Sequence, residues 1–253
     1  MVRRAVRLGC SHSTLTVRFV QAAGPGVVRI ELADQRAGGG GAAPASVLAW
    51  LGLDAGIADA SAHLSRDPLL APMVAQRPGL CVPGTVDGGE LAMRTVLGQQ
   101  VSVAAARTLT GRLVALLGHD CGSGLRLFPE PGAIAAAGVD VLRSIGLTGS
   151  RATTLAVLAH ALAEGLDLTP GADRRASSHA LGALRGIGPW TVSYVALRAL
   201  RDPDAFPAHD LVLRQALGGV AAREALQRAE TWRPWRGYAA QHLWRAAALG
   251  EPR

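Results

Sequence analysis

Residues 181–214 read LGALRGIGPWTVSYVALRALRDPDAFPAHDLVLR, and the division of this stretch decides the fold. Leu181 and Leu184 close one apolar helical segment, and Gly186-Ile187-Gly188 makes a turn. Pro189 suits the first position of the next helix, where a missing N–H costs nothing. Gly186 and Gly188 permit positive φ and leave the backbone uncovered. N–H groups exposed there, added to a helix N-terminus, form a site that favours phosphate. Ile187 between them is expected to plug the turn into the core. Further along, a lone acid follows, Asp210 in Pro207-Ala208-His209-Asp210-Leu211. A phosphate-gripping turn followed by a single carboxylate points to nucleic-acid chemistry.

Composition agrees with a polyanionic partner. The chain of 253 residues carries a net charge of +7 and has a pI near 10.7. With 49% apolar and 18% charged residues, a compact soluble protein is expected, either one large domain or a few small ones. There is no apolar run of about 18 residues, which argues against a membrane span. The start, MVRRAVRLGCSHST, has arginines without a following apolar stretch, so no signal peptide is read. The expected location is the cytoplasm, at the nucleoid when bound to DNA. All 26 basic residues are Arg. Genomic base composition accounts for arginines on the surface, but the chemical consequence is independent of cause: no lysine Schiff base can form. Cys10, Cys81 and Cys121 are far apart and show no metal-ligand spacing, so neither a zinc site nor an iron–sulfur cluster is supported.

Residues 13–20 and 26–32, separated by Gly24-Pro25-Gly26, are β-branched-rich and alternate, as strands do. Two strands alone are marginal and need partners. Residues 33–46 contain four consecutive glycines, Gly38 to Gly41, and read as a flexible loop. Helical patterns follow at 47–51, 57–64, from Pro68 to Gln76, at 91–97, 103–117, 134–137, 139–145, 152–162, 176–184, 221–229 and 237–249. Ile145-Gly146-Leu147 resembles a second, weaker turn of the hairpin type. The fold class is mainly α with a small N-terminal β element.

Four ordered blocks carry a family resemblance: Arg77-Pro78-Gly79-Leu80, Leu97-Gly98-Gln99-Gln100-Val101-Ser102, the hairpin, and Trp232-Arg233-Pro234-Trp235-Arg236. Together they resemble the AlkA-type 3-methyladenine DNA glycosylases of the helix-hairpin-helix superfamily, over residues 45–248. The resemblance implies a helix-hairpin-helix glycosylase fold with two helical subdomains flanking a cleft. It suggests an abbreviated N-terminal sheet domain at 1–62, one helical subdomain at 63–87 plus 203–253, and another at 88–202 carrying the hairpin. The family's N-terminal domain is larger than what is visible here, so a shortened domain or a piece of a longer, fused protein is expected. A four-cysteine cluster found in many relatives is absent, since no cysteine follows Cys121.

Of the five Trp and two Tyr, six lie between 190 and 244. Trp232 and Trp235 read as a core patch. Trp190 and Tyr194, four apart, share a helix face next to the turn, where rings can stack on an extruded base. A cationic alkylated purine adds cation–π attraction of about 0.5–2 kcal/mol. The resemblance implies that Trp190, Tyr194 and Trp244 line the base pocket, with Leu211 where well-known members have Tyr. Asp210 is the candidate catalytic residue: a carboxylate steadies the oxocarbenium character of glycosidic cleavage and orients water. Spacing alone favours Asp210 as the N-cap of the helix starting at Leu211, and the resemblance tips the reading to the catalytic role, the two being compatible. His209 either contacts phosphate or is a solvated loop residue. Gln99 and Gln100 read either as a capped surface junction or, by resemblance, as minor-groove residues, Gln100 entering the space of the flipped nucleotide. Gly186, Gly188 and Thr191 belong to the implied DNA-gripping hairpin, whose backbone is also the place for a monovalent cation; no other cofactor and no metal is expected. Bifunctional relatives have Lys within the stretch matching Gly188-Pro189-Trp190-Thr191, where this chain has Trp190. The implied activity is hydrolytic excision of alkylated purines from double-stranded DNA by a monomer, without a lyase step. The alternatives are a non-catalytic, damage-sensing DNA-binding module and, third, a glycosylase for oxidised or mismatched bases.

Overall fold

The computed structural model describes the backbone of residues 2–8, 11–21, 28–32, 42–53, 56–121 and 124–250, with side chains for Val6 and from Val47 onward. The Gly24-Pro25-Gly26 turn, the glycine run and Cys10 lie outside the described residues. In chain order the elements are β1 (Val2–Leu8), β2 (Ser11–Gln21), β3 (Val28–Leu32), α1 (Ala42–Leu51), α2 (Ile57–Leu64), α3 (Ala71–Gln76), α4 (Gly88–Leu97) and α5 (Val103–Leu117). After these come β4 (His119–Asp120), β5 (Arg126–Leu127), α6 (Pro131–Ser144), α7 (Gly149–Ala163), α8 (Arg174–Gly182) and α9 (Pro189–Arg198). The chain closes with α10 (Leu211–Ala216), α11 (Ala222–Ala229), a 3-10 turn (Glu230–Trp232) and α12 (Arg236–Ala248). They fall into two compact units, one of Met1–Val47 with Met93–Gly165 and one of Leu48–Ala92 with Leu166–Arg253.

The first unit contains an antiparallel sheet in the order β1-β2-β3, with Val6 opposite Ser13 and Phe19 opposite Ile30. The third strand, β1, supplies the partner that two strands need. Its helices pack around Leu97, Leu113, Ile134, Leu142, Leu155 and Leu158, each below 2% exposed. Burying one such side chain contributes about 1.5–3 kcal/mol. The helix α5 starts where expected because Ser102 caps it, its Oγ accepting from Ala105 N–H at 3.2 Å. The expected break between 137 and 139 is a kink at Gly138, φ 77°.

In the second unit the core holds Leu64, Leu70, Leu181, Leu200, Leu213, Leu243 and Trp232. The Trp232 ring meets Phe206 edge-on at 5.9 Å and its Nε1 donates to Asp67 Oδ2 at 2.7 Å. A buried indole with a satisfied N–H is stable core material. Several boundaries differ from the sequence reading, among them those of α3, α1 and α8. The helix expected from Pro68 begins at Ala71, because the Asp67 carboxylate accepts from Leu69 and Leu70 N–H and holds a turn there. The segment 42–46, read as loop, opens α1, and α8 stops at Gly182 rather than 184. Among the described residues no helix is long and apolar enough to cross a membrane.

Candidate active site

The hairpin is made by α8, a turn and α9. Ile187 N–H donates to Leu184 O at 3.1 Å, Gly186 has φ 87°, and Ile187 is 8% exposed, so the turn is plugged into the core as expected. A left-handed residue costs an L side chain roughly 1–2 kcal/mol, which is why glycine occupies 186. Gly188 is an extended N-cap with φ −95° and ψ 170° and no side-chain cap, and Pro189 takes the first helical position. The first intrahelical bond is Val192 N–H to Gly188 O at 3.1 Å. This end of α9 therefore presents backbone and helix dipole without a side chain of its own to neutralise them. Thr191 is 2% exposed, so its hydroxyl belongs to the core and only its backbone adjoins the turn.

Asp210 is reached through a tightly folded loop. Phe206, Pro207 and Ala208 are buried, and Asp210 N–H donates to Pro207 O at 2.8 Å. The Asp210 side chain is the N-cap of α10, Oδ1 accepting from Leu213 N–H at 3.0 Å. The same carboxylate receives two indoles: Trp190 Nε1 donates to Oδ2 at 2.8 Å and Trp244 Nε1 donates to Oδ1 at 3.1 Å. The half-buried Trp190 comes from the start of α9 and the half-buried Trp244 from α12. Capping and clustering with the aromatic rings thus coexist at one aspartate.

The rings are ordered around Tyr194. Trp190 stacks on it with centroids 5.1 Å apart and planes 10° from parallel, and Trp244 meets it edge-on at 6.4 Å. The Arg198 guanidinium lies over the Tyr194 ring at 5.6 Å. Residues 190, 194 and 198 succeed one another at four-residue spacing, so Trp190 approaches from the preceding turn and Arg198 from the following one. Leu211 is 63% and Val212 41% exposed beside the carboxylate, and His209 is exposed.

Gln99 and Gln100 belong to the first unit. Gln99 N–H donates to Val96 O at 3.2 Å, closing α4, and Gln100 is exposed with φ 57°. A non-glycine residue held left-handed stores strain, a recurrent property of functional turns.

A charged network was not anticipated. The Arg236 guanidinium donates to both Asp204 carboxylate oxygens at 2.8 and 2.9 Å, and to Glu230 Oε1 at 3.0 Å. Arg233 donates to Asp204 Oδ2 at 2.8 Å and Glu230 Oε2 at 2.9 Å. It fastens the loop that leads to Asp210 onto the start of α12, the helix carrying Trp244. The signal for it was the Trp232–Arg236 block, which spacing could not pair with residue 204. Nearby on α12, His242 is 2% exposed, its Nδ1 has no hydrogen-bond partner, and burial together with the Arg77 charge pushes its pKa down to about 4. Among the described residues no group of three His, Cys, Asp or Glu could hold a metal ion.

Residues 1–87 match the model of the AlkA N-terminal domain, and residues 93–233 match that of the HhH-GPD superfamily base excision DNA repair protein. A Mycobacterium tuberculosis relative named probable bifunctional transcriptional activator/DNA repair enzyme AlkA is 45% identical over 190 residues, covering 72% of this chain and 38% of its own length. Escherichia coli DNA-3-methyladenine glycosylase 2 is 39% identical over 178 residues, 69% of this chain and 63% of its own. The chain thus spans less than two thirds of these relatives. The 3-methyladenine DNA-glycosylase of Archaeoglobus fulgidus has the same fold, with a TM-score of 0.84 over 99% of this chain and 88% of that one at 22% identity. With more than half of its length matched, the chain belongs to the HhH-GPD superfamily of base excision DNA repair proteins, in the group that carries an AlkA N-terminal domain.

Proposed function

We propose that this protein is a monofunctional DNA glycosylase that hydrolytically excises alkylated purines, of the 3-methyladenine and 7-methylguanine type, from duplex DNA and leaves an abasic site. One observation carries the reading: the Asp210 carboxylate is held by two indole N–H groups within an aromatic cluster that adjoins an uncapped helix hairpin. The names of the relatives support the substrate class.

In this reading the target nucleotide leaves the stack and its base packs on the indole faces. An alkylated purine is cationic, so the C1′–N bond can break with its electron pair moving onto the base, which departs neutral and needs no general acid. The positive charge left on the sugar is steadied by the Asp210 anion. Water then adds at C1′ and releases its proton to solvent. Because both Asp210 oxygens already accept N–H donors, charge stabilisation and water orientation suit it better than strong base catalysis. The hairpin from Gly186 to Thr191 grips the DNA phosphate, with His209 as a further phosphate contact and Leu211 as one wall of the pocket. Gln99 and Gln100 read the minor groove, Gln100 filling the gap left by the flipped nucleotide. With no lysine in the chain, hydrolysis ends the reaction without Schiff-base strand cleavage. The enzyme acts as a monomer on the nucleoid.

The test is incubation of the purified protein with methylated genomic DNA and chromatographic identification of released bases. Release of 3-methyladenine by the wild type, lost in Asp210→Asn while duplex binding persists, is expected. Unchanged release by Asp210→Asn would remove that residue from the mechanism. Salt-sensitive DNA binding without release by the wild type would instead favour a non-catalytic module.

A further inference from the structure

We infer that Trp190 and Trp244 are positioning residues for the carboxylate, acting through their indole N–H groups, and that they divide it into a held oxygen, Oδ1, and a working oxygen, Oδ2. This rests on the reading of Asp210 as the catalytic group. A carboxylate offers about four lone-pair sites, two on each oxygen. Oδ1 accepts from Leu213 N–H at 3.0 Å and from Trp244 Nε1 at 3.1 Å, which fills it. Among the described residues Oδ2 accepts from Trp190 Nε1 alone, at 2.8 Å, and keeps one site for the sugar cation or an incoming water.

Indole suits this role because it donates and never accepts. It cannot turn over to present an acceptor, so it favours one orientation of the ionised carboxylate. The two donors share a common neighbour: Tyr194 stacks on Trp190 and packs T-shaped against Trp244. Arg198 lies over the Tyr194 ring, and Arg198 and Tyr194 share α9. Pre-organised donors remove the need for the carboxylate to reorient as charge develops, and such preorganisation is the usual source of electrostatic catalysis. Among the described residues Trp190 is the sole donor to Oδ2, whereas Trp244 shares Oδ1 with the cap. Removing the Trp190 N–H is therefore the larger loss.

Trp190→Phe and Trp244→Phe keep an aromatic face and delete the N–H. Single-turnover release of 3-methyladenine from methylated duplex separates the maximal rate from the half-saturating enzyme concentration. Trp190→Phe is expected to lower the maximal rate by roughly tenfold or more and Trp244→Phe by a smaller factor, with half-saturation within about twofold of wild type. Thermal unfolding and binding of unmodified duplex check that each variant is folded. Unchanged rates, a loss confined to half-saturation, or a larger effect at Trp244 would each overturn the inference. Should Trp190→Phe not fold, Trp244→Phe decides alone, an unchanged rate counting against it. Asp210→Asn run alongside separates two failures. If it retains release, the role of Asp210 is wrong; if it is inactive while both Phe variants match wild type, only the positioning role is wrong.

Discussion

The turn between α6 and α7 and the turn between α8 and α9 are built alike, yet only one adjoins the carboxylate cluster. Each has a left-handed glycine, Gly146 at φ 102° and Gly186 at φ 87°. A buried aliphatic follows, Leu147 at 6% and Ile187 at 8% exposure, and then an extended N-cap, Thr148 or Gly188. They differ at the cap. Thr148 Oγ1 accepts from Arg151 N–H at 3.4 Å, so the first helix neutralises one of its own donors, while Gly188 has nothing to offer. They differ again one step on, where Ser150 occupies the place of Trp190. A hairpin turn is a local and inexpensive arrangement that a chain can make twice. The second turn adds an open helix start and a side chain that meets an acid from a distant segment.

The largest expected break in this comparison is at Asp210. Asp210→Asn should lower base release by about a thousandfold, and no substitution at Ser150 or Thr148 should approach that, as single-turnover assays will show. Next is the network that only the second unit uses to hold its loop. Arg236→Ala removes the bidentate partner of Asp204 and should destabilise by about 1–3 kcal/mol, read as a fall in unfolding midpoint, because Arg233 still holds both acids. Acid provides a third contrast, since His242 is the only buried histidine among the described residues. Its folded pKa of about 4 lies below the unfolded value of about 6.5. The unfolded chain therefore binds the proton first: stability is full above pH 6.5 and drains away as pH falls toward 4, by roughly 3 kcal/mol. Urea midpoints against pH should show this, and His242→Gln should flatten the curve. Hydrogen exchange should place the loss on α12 and not on α7. The smallest contrast is the glycine pair. Gly146→Ala and Gly186→Ala should each cost about 1–2 kcal/mol of stability, but only Gly186→Ala should also weaken duplex binding in a salt titration.

What could be read before the fold was seen was mostly local. The helix α5 was legible to the residue because its apolar period is unbroken from Val103 to Leu117, and the hairpin because glycine and proline bracket an isoleucine. The strand β1 was missed because adjacent Arg3-Arg4 and adjacent Ala5-Val6 break the polar–apolar alternation that marks a strand. The strands β4 and β5, two residues each, are too short to show a period. The start of α3 was misplaced because Asp67 caps a turn instead of a helix. The Asp204–Arg236 network was invisible, since no periodicity links residues 32 apart.

The sequence by itself determined the helical class, the uncapped turn, the acid at the head of α10 and the chemistry that a lysine-free chain cannot perform. These are settled by short-range backbone preferences and by residue identity, which need no partner. Only the tertiary structure decided that two indoles from α9 and α12 converge on one carboxylate, that Arg198 lies over the Tyr194 ring, and that an arginine network holds the loop in place. Hydrogen bonds between distant segments depend on how helices pack, and packing is a property of the whole core.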